Sequence, residues 1–329
     1  MRTGIAVIIT AVLTAAIIAG AFLTFYKYIP IQKTKTIYIT STIETTQTKT
    51  ETAYVTETYT TYTVTTTILS QTSTPLMQCL EVSWPNQTPI YVDNGRYIMQ
   101  INMWNLKSAD GIAAMRYCNG TFYYDQNLTN IVEQNPNSWV AGYPEVWFGY
   151  KPWASMGTRG APLPATVAGV MGSNLRISIS YNISVEPSLP MDFAFDIWVT
   201  KSPNETSVGP GEQEIMIWFY YQNMFPAGSQ VGQVTIPVIL NGKPTNMTFL
   251  VSRQPSMPWE YIAFFASTPL KSASIEFRLA DFIKAAAQYT SIANYSEMWV
   301  DDVELGSEFG SPFTTSAALS WSLQLSFSS

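Results

Sequence analysis

From Leu175 to Ser184 apolar and polar residues alternate without a break: Leu175, Ile177, Ile179, Tyr181 and Ile183 share one parity, and Arg176, Ser178, Ser180, Asn182 and Ser184 the other. Successive strand side chains point to opposite faces, so this run predicts a strand with one face in a core and one in water. The stretch from Leu319 to Ser328 repeats the pattern, with Leu319, Trp321, Leu323, Leu325 and Phe327 inward and Ser320, Ser322, Gln324, Ser326 and Ser328 outward. Both read as strands of an outer sheet. A helical period stands out at Ala280 to Tyr289, where Phe282, Ala286 and Tyr289 fall at i, i+4 and i+7. The fold class that follows is all-β, two packed antiparallel sheets forming a sandwich, with one short helix.

Other strands carry something on both faces. Between Glu214 and Tyr220, Ile215, Ile217 and Phe219 face the core, while Glu214, Met216, Trp218 and Tyr220 face away from it. Phe193, Phe195, Ile197 and Val199 likewise point inward and leave Asp192, Ala194, Asp196 and Trp198 opposite; Gln100, Asn102 and Trp104 share a face of the run from Tyr97 to Asn105. Carboxylates set among aromatic rings suit sugars, because rings stack on the apolar pyranose faces while polar groups take the hydroxyls. Joined on one sheet, these runs predict a cleft displaying Asn102, Trp104, Asp196, Trp198, Glu214, Met216 and Trp218, with Glu308 entering from a C-terminal strand.

The rest of the chain divides differently. From Gly4 to Tyr26 no residue is charged, and as a helix that stretch would be about 34 Å long, enough to cross a hydrocarbon core of roughly 30 Å. Residues 1–33 are therefore expected to be a signal or transmembrane segment. Ala19-Gly20-Ala21 leaves cleavage open, so the protein is expected outside the cell, secreted or anchored at the surface. Residues 34–75 are dominated by threonine, with no apolar cluster large enough for a core; they read as a linker, extended if O-glycosylated and disordered if not. The working domain is then 76–329. It contains seven Asn-x-Ser/Thr sequons, at Asn86, Asn119, Asn127, Asn182, Asn204, Asn246 and Asn294. It also holds Cys79 and Cys118. Closed as a structural disulfide in an oxidising compartment, this pair would contribute roughly 3–4 kcal/mol on the chain-entropy model.

Composition narrows the chemistry. The 329 residues include no histidine and two cysteines, which excludes Ser-His-Asp triads, Cys-His dyads and the usual zinc clusters. There is no Gly-x-Gly-x-x-Gly and no Walker loop, and 17 basic residues against 23 acidic ones give a net charge of -6; nucleic acid is not an expected partner. Asp301 and Asp302 read as a solvated turn rather than a metal site, and no metal or cofactor is expected. Charged residues make up only 12%, against roughly 25% in an average soluble protein, so the surface changes little on acidification. What remains is carboxylate chemistry. Glycoside cleavage needs two carboxyl groups, one to attack the anomeric carbon or activate water and one to protonate the leaving oxygen. Retaining enzymes hold them about 5–5.5 Å apart and inverting ones roughly 6.5–9.5 Å, a choice that the residues alone leave open.

The strand Glu-Ile-Met-Ile-Trp (214–218), the run Gln-x-Asn-x-Trp (100–104), Phe-Asp-Ile (195–197) and the Gly-Ser-Glu segment followed by Pro-Phe (306–313) occur in an order and spacing that resemble the endo-β-1,4-glucanases of glycoside hydrolase family 12. The resemblance covers about 79–329. It implies a jelly-roll sandwich with the substrate cleft on a concave sheet, and retention of configuration. It implies Glu214 as nucleophile, Glu308 as acid/base and Asp196 as a third carboxylate bonded to the nucleophile, with Trp104 stacking a sugar. Cys79 and Cys118 match a disulfide of fungal members. The chain departs from the family at Glu304, where glutamine is usual. Glu304, with Asp302 on the same face, could raise the acid's pKa or be the acid itself; the motif match assigns Glu308. The expectation is an extracellular, monomeric endo-β-1,4-glucanase that cleaves internal bonds of cellulose-like glucans, favoured by acid. The alternative is a surface lectin that keeps the cleft without turnover.

Overall fold

The computed structural model describes residues 79–138, 140–255 and 258–329; the expected 1–33 segment and 34–75 linker lie outside the described residues. Two sheets face each other. One contains, in spatial order, β1 (Leu80–Ser83), β4 (Leu106–Cys118), β5 (Thr121–Glu133), β18 (Ser316–Ser328), β9 (Arg176–Val185) and β15 (Ser272–Arg278). The other runs β2 (Ile90–Val92), β3 (Tyr97–Gln100), β6 (Glu145–Lys151), β17 (Asp302–Gly306), β10 (Met191–Thr200), β11 (Gln213–Gln222), β14 (Glu260–Ala266), β13 (Lys243–Gln254) and β12 (Ser229–Leu240). The far end of β12 pairs with β15 at Ile239–Glu276 and Leu240–Ile275, joining the sheets at one edge. Three two-residue strands, β7 (Met156–Gly157), β8 (Ala165–Thr166) and β16 (Trp299–Val300), complete the jelly-roll-like fold.

The two strictly alternating runs became β9 and β18, which pair with each other. Their inward residues pack against the facing sheet: Tyr181 lies 4.8 Å from Phe193, ring centre to ring centre, and Trp321 lies 5.8 Å from Phe193. Their polar residues face water, as the alternation requires, and all seven sequon asparagines are exposed. Phe195, Phe219 and Phe277 continue the core between the sheets. Cys79 and Cys118 are joined as a disulfide beside the β1–β4 pairing.

The structure corrects three expectations. The second sheet is not wholly antiparallel, because β11 and β14 run parallel, with Glu214 opposite Tyr261. Among the described residues there are two α-helices rather than one. The predicted helix is α2 (Leu279–Ala286), whose Phe282 packs edge-on against Phe249, Phe264 and Phe277. The unpredicted one is the six-residue α1 (Val167–Gly172), capped by Thr166 Oγ1, which accepts the Gly169 N–H at 3.1 Å. Its two glycines and short length gave no periodic signal. Third, Asp301 and Asp302 are not a solvated turn. Both are fully buried, Asp301 accepting the Thr200 hydroxyl and Asp302 the Trp198 N–H.

Candidate active site

The central strands of the second sheet bury their other face as well. Pairing registers lay out that face row by row. In one row Asp302 on β17 sits beside Trp198 on β10, then Glu214 on β11 and Tyr261 on β14. The next row holds Trp147 on β6, Glu304, Asp196 and Met216. A third holds Glu145, Gly306, Ala194 and Trp218. Because strand side chains repeat every second residue, three neighbouring rows carry five carboxylates on one face. Close approach of β6 and β17 depends on glycine: a Cβ at Gly306 would lie 2.3 Å from the Pro144 carbonyl oxygen, and one at Gly149, whose φ is +99°, 2.5 Å from that of Asp301.

This face floors a cleft of about 1220 Å³. Every residue expected at the site lines it: Asn102, Trp104, Asp196, Trp198, Glu214, Met216, Trp218 and Glu308. They differ in access. Trp104 is 48% exposed at the rim, whereas Met216 and Trp218 are almost wholly buried in the floor, where the Trp218 indole N–H and the Tyr261 hydroxyl both reach the Met216 sulfur at 3.3 Å. Tyr220, which shares the outward parity of Glu214, Met216 and Trp218, packs into the core instead. A bulge opposite Phe193 and Ala194 inserts one residue in β11 and ends the alternation.

Glu214 is 8% exposed, and its Oε2 accepts the Trp259 indole N–H at 2.5 Å. Burial pushes its carboxyl up to about 8, against the lowering effect of the Trp259 bond; the nearby charges of Glu308 and Glu304 add to the rise and Lys151 opposes it. Glu308 follows β17 and is half-buried. Its backbone N–H donates to Asp192 Oδ1 at 3.2 Å, and its carbonyl accepts the Asp192 N–H at 3.1 Å. Burial raises the Glu308 carboxyl too. Asp196 is held well above the usual carboxylate range by burial and by Glu214. Its Oδ1 has no hydrogen-bond partner, so the expected bond to Glu214 is not formed there; Asp196 stands opposite Met216, one row from Glu214.

Glu304 is tied down at both oxygens. Oε2 accepts Lys151 Nζ at 2.5 Å and Oε1 accepts the Trp198 indole N–H at 3.1 Å. Burial alone would raise it, yet the charge of Lys151 and its hydrogen bond hold the Glu304 carboxyl below the usual value. Its carboxyl is thereby held toward the charged form, which suits it poorly to donate a proton.

Sequence reasoning missed several participants. Trp153, 47% exposed, and Trp259 form a cluster with Trp198, with ring centres 5.4–5.9 Å apart. Phe225, 75% exposed, stands elsewhere on the cleft lining. On β6, Glu145, Trp147, Gly149 and Lys151 alternate with the core residues Val146 and Phe148. That alternation was the available signal; a lysine and a glutamate on a strand read as a wet face.

Comparison with known proteins matches residues 95–326 to the model of glycosyl hydrolase family 12. Among curated proteins, the chain is 22% identical over 225 residues to endoglucanase S of Pectobacterium parmentieri, covering 67% of this chain and 78% of that protein. It is 30% identical over 154 residues to a probable cellulase, Cel12b, of Mycobacterium tuberculosis, covering 41% of this chain and 94% of that one. Among solved structures, endoglucanase cel12A from Rhodothermus marinus is similar with a TM-score of 0.57 at 25% identity, over 76% of this chain and 99% of that chain. A family 12 xyloglucanase from Bacillus licheniformis has a TM-score of 0.59 at 22% identity, with the same two coverages.

Proposed function

Because the chain belongs to glycosyl hydrolase family 12 and is a glycoside hydrolase, we propose that it is an extracellular endo-β-1,4-glucanase, secreted or membrane-anchored, that hydrolyses internal bonds of cellulose-like glucans with retention of configuration. The observation that carries this reading is that Glu214 and Glu308 line one aromatic cleft, with Glu304, the competing carboxylate, held ionised by Lys151. A cleft with an exposed Trp104 and Phe225 on its lining suits a long chain rather than a single sugar. The uncharged segment from Gly4 to Tyr26, the disulfide and the exposed sequons support export.

In the first step Glu214 attacks the anomeric carbon, forming the glycosyl–enzyme bond as the glycosidic bond breaks, while Glu308 passes its proton to the departing oxygen. In the second, Glu308 takes a proton from water, whose oxygen attacks the same carbon and releases Glu214. The Trp259 bond to Oε2 fixes the rotation of the Glu214 carboxylate and favours its charged form. Raised Glu308 keeps its proton for the first step. Asp196, unpartnered at Oδ1 and raised by burial and by the charge of Glu214, supports the nucleophile by taking up a proton in its place, so that the group titrates together. Acid-favoured activity, expected from composition, is opposed by the burial of Glu214, and therefore requires that substrate binding or transfer to Asp196 free Glu214 of its proton.

Reducing-end release from carboxymethylcellulose and barley β-glucan by the full chain, from acidic to neutral pH, tests this reading, with Glu214→Gln as control. We expect release by the wild type and at least a roughly thousandfold loss in the variant with glucan binding retained, in line with removal of an essential nucleophile. Proton NMR of the first product reads the anomeric outcome. Turnover surviving in Glu214→Gln would remove the assignment, and a maximum near neutrality would remove the acid preference.

A further inference from the structure

Lys151 is a buried cation in a cleft whose other titratable lining groups are carboxylates and tyrosines. Its ammonium lies 2.8 Å from Glu145 Oε2 and 2.5 Å from Glu304 Oε2, and 5.5 Å from the centre of the Trp147 ring. Each carboxylate uses its second oxygen to hold a different part of the cleft. Glu145 Oε1 accepts the Asn102 side-chain N–H at 2.5 Å, and Asn102, in the left-handed conformation at φ 41°, immediately precedes the Met103–Leu106 turn that carries Trp104. Glu304 Oε1 accepts the Trp198 indole; Trp198 packs on Trp153 and Trp259, and Trp259 donates to Glu214.

We propose that Lys151 is a positioning residue of this site: through Glu145 it fixes the Asn102–Trp104 rim, and through Glu304 it fixes the tryptophan cluster that orients Glu214. The assignment rests on Glu214 being the nucleophile. Both arms leave one ammonium, so substrate placement and nucleophile orientation share a single anchor. A buried lysine without partners would lose its proton, but Glu145 and Glu304 keep it charged. The groups facing it are Glu145 on its own strand, Glu304 and Asp302 on β17, Asp196 on β10 and Glu214 on β11. Beyond them, Asp192 and Glu308 face Glu214 from the opposite side. Lys151 is the positive charge in this set, and its attraction favours ionised Glu214.

The test compares Lys151→Met with Glu304→Gln in the full chain, because anchoring through charge predicts opposite effects. Removing the cation moves the acid limb of kcat/KM upward by roughly one unit, a tenfold loss on that limb. Removing the neighbouring anion while Lys151 stays moves it downward. The doubly neutral Lys151→Met/Glu304→Gln returns it toward the wild type, and leaves no uncompensated charge if Lys151→Met alone fails to fold. Tryptophan fluorescence against pH, which senses Trp198 and Trp259 beside these carboxylates, provides the same comparison without turnover. If the wild type hydrolyses no glucan, the functional reading fails while the fluorescence still decides the role of Lys151. Shifts of opposite sign support the proposal. Shifts of the same sign, or limbs and midpoints that stay in place in both single variants and the double, overturn it.

Discussion

Replacing Trp259 with phenylalanine removes one hydrogen bond and little else. The ring that packs 5.8 Å from Trp153 and 5.4 Å from Trp198 is kept in kind, and the N–H that donates to Glu214 Oε2 at 2.5 Å is lost. A hydrogen bond to a charged group contributes about 1.5–3 kcal/mol, and one pKa unit corresponds to about 1.4 kcal/mol. Since this bond favours the carboxylate, its loss raises a Glu214 carboxyl already pushed up to about 8, by roughly one to two further units. On the proposed mechanism Glu214 must be ionised, so activity is lost as pH falls through its apparent pKa. Trp259→Phe is therefore expected to shift the acid limb of kcat/KM on barley β-glucan upward by about one to two units, costing roughly 10- to 100-fold on that limb and much less on the alkaline side. Thermal unfolding, measured in parallel, checks that the variant is folded across the pH range. An unmoved acid limb in a folded variant would refute the reasoning, and a uniform loss at all pH values would show that the bond orients Glu214 without tuning it.

Trp104→Ala removes a half-exposed ring from the rim; a stacking contribution of about 0.5–1.5 kcal/mol predicts a KM for long glucans higher by roughly 3- to 10-fold with kcat nearly kept, which steady-state kinetics will read. Stability should respond to pH from two sides. Glu214 has a folded pKa raised above its unfolded value, so its contribution is fully present below about 4.5 and is lost as pH rises through about 8, whereas Glu260, lowered to about 2, contributes above about 4.5 and loses that contribution as pH falls through about 2. Melting temperature is thus expected to be highest on the acid side of neutrality, and Glu214→Gln should flatten its decline toward pH 8 by an amount on the order of a few kcal/mol; a melting temperature that climbs steadily to pH 8 in the wild type would contradict this.

The parts of the fold that were legible in the sequence are those where burial acts on one face at a time. β9 and β18 put water on one side and a core on the other, so parity alone identified them and their inward residues. The same parity located Asp196 and Glu214 on the cleft face of β10 and β11, because the aliphatic residues between them belong to the core. It failed at Tyr220, where a bulge moves the register by one residue, and at α1, whose start depends on a single Thr166 cap. Neither event alters composition over a window long enough to notice.

The harder failure was chemical. Residues 145–151 have the parity of a two-faced strand, but nothing in the sequence marks their lysine and glutamate as buried, because isolated charges are almost never fully buried. Burial becomes tolerable only when partners arrive from elsewhere in the chain, and Glu304 lies 153 residues beyond Lys151. Asp301 and Asp302 were misread for the same reason: Thr200 and Trp198 each bond one of their oxygens from another strand. Glu304 makes the point most sharply. Its sequence context left it a rival to Glu308 for the acid's role, and only the ammonium of Lys151 and the indole of Trp198, neither near it in the chain, make it the carboxylate that stays charged. In a cleft lined by so many acids, the position of one lysine holds Glu304 toward its charged form, while Glu308, away from that lysine, is raised by burial.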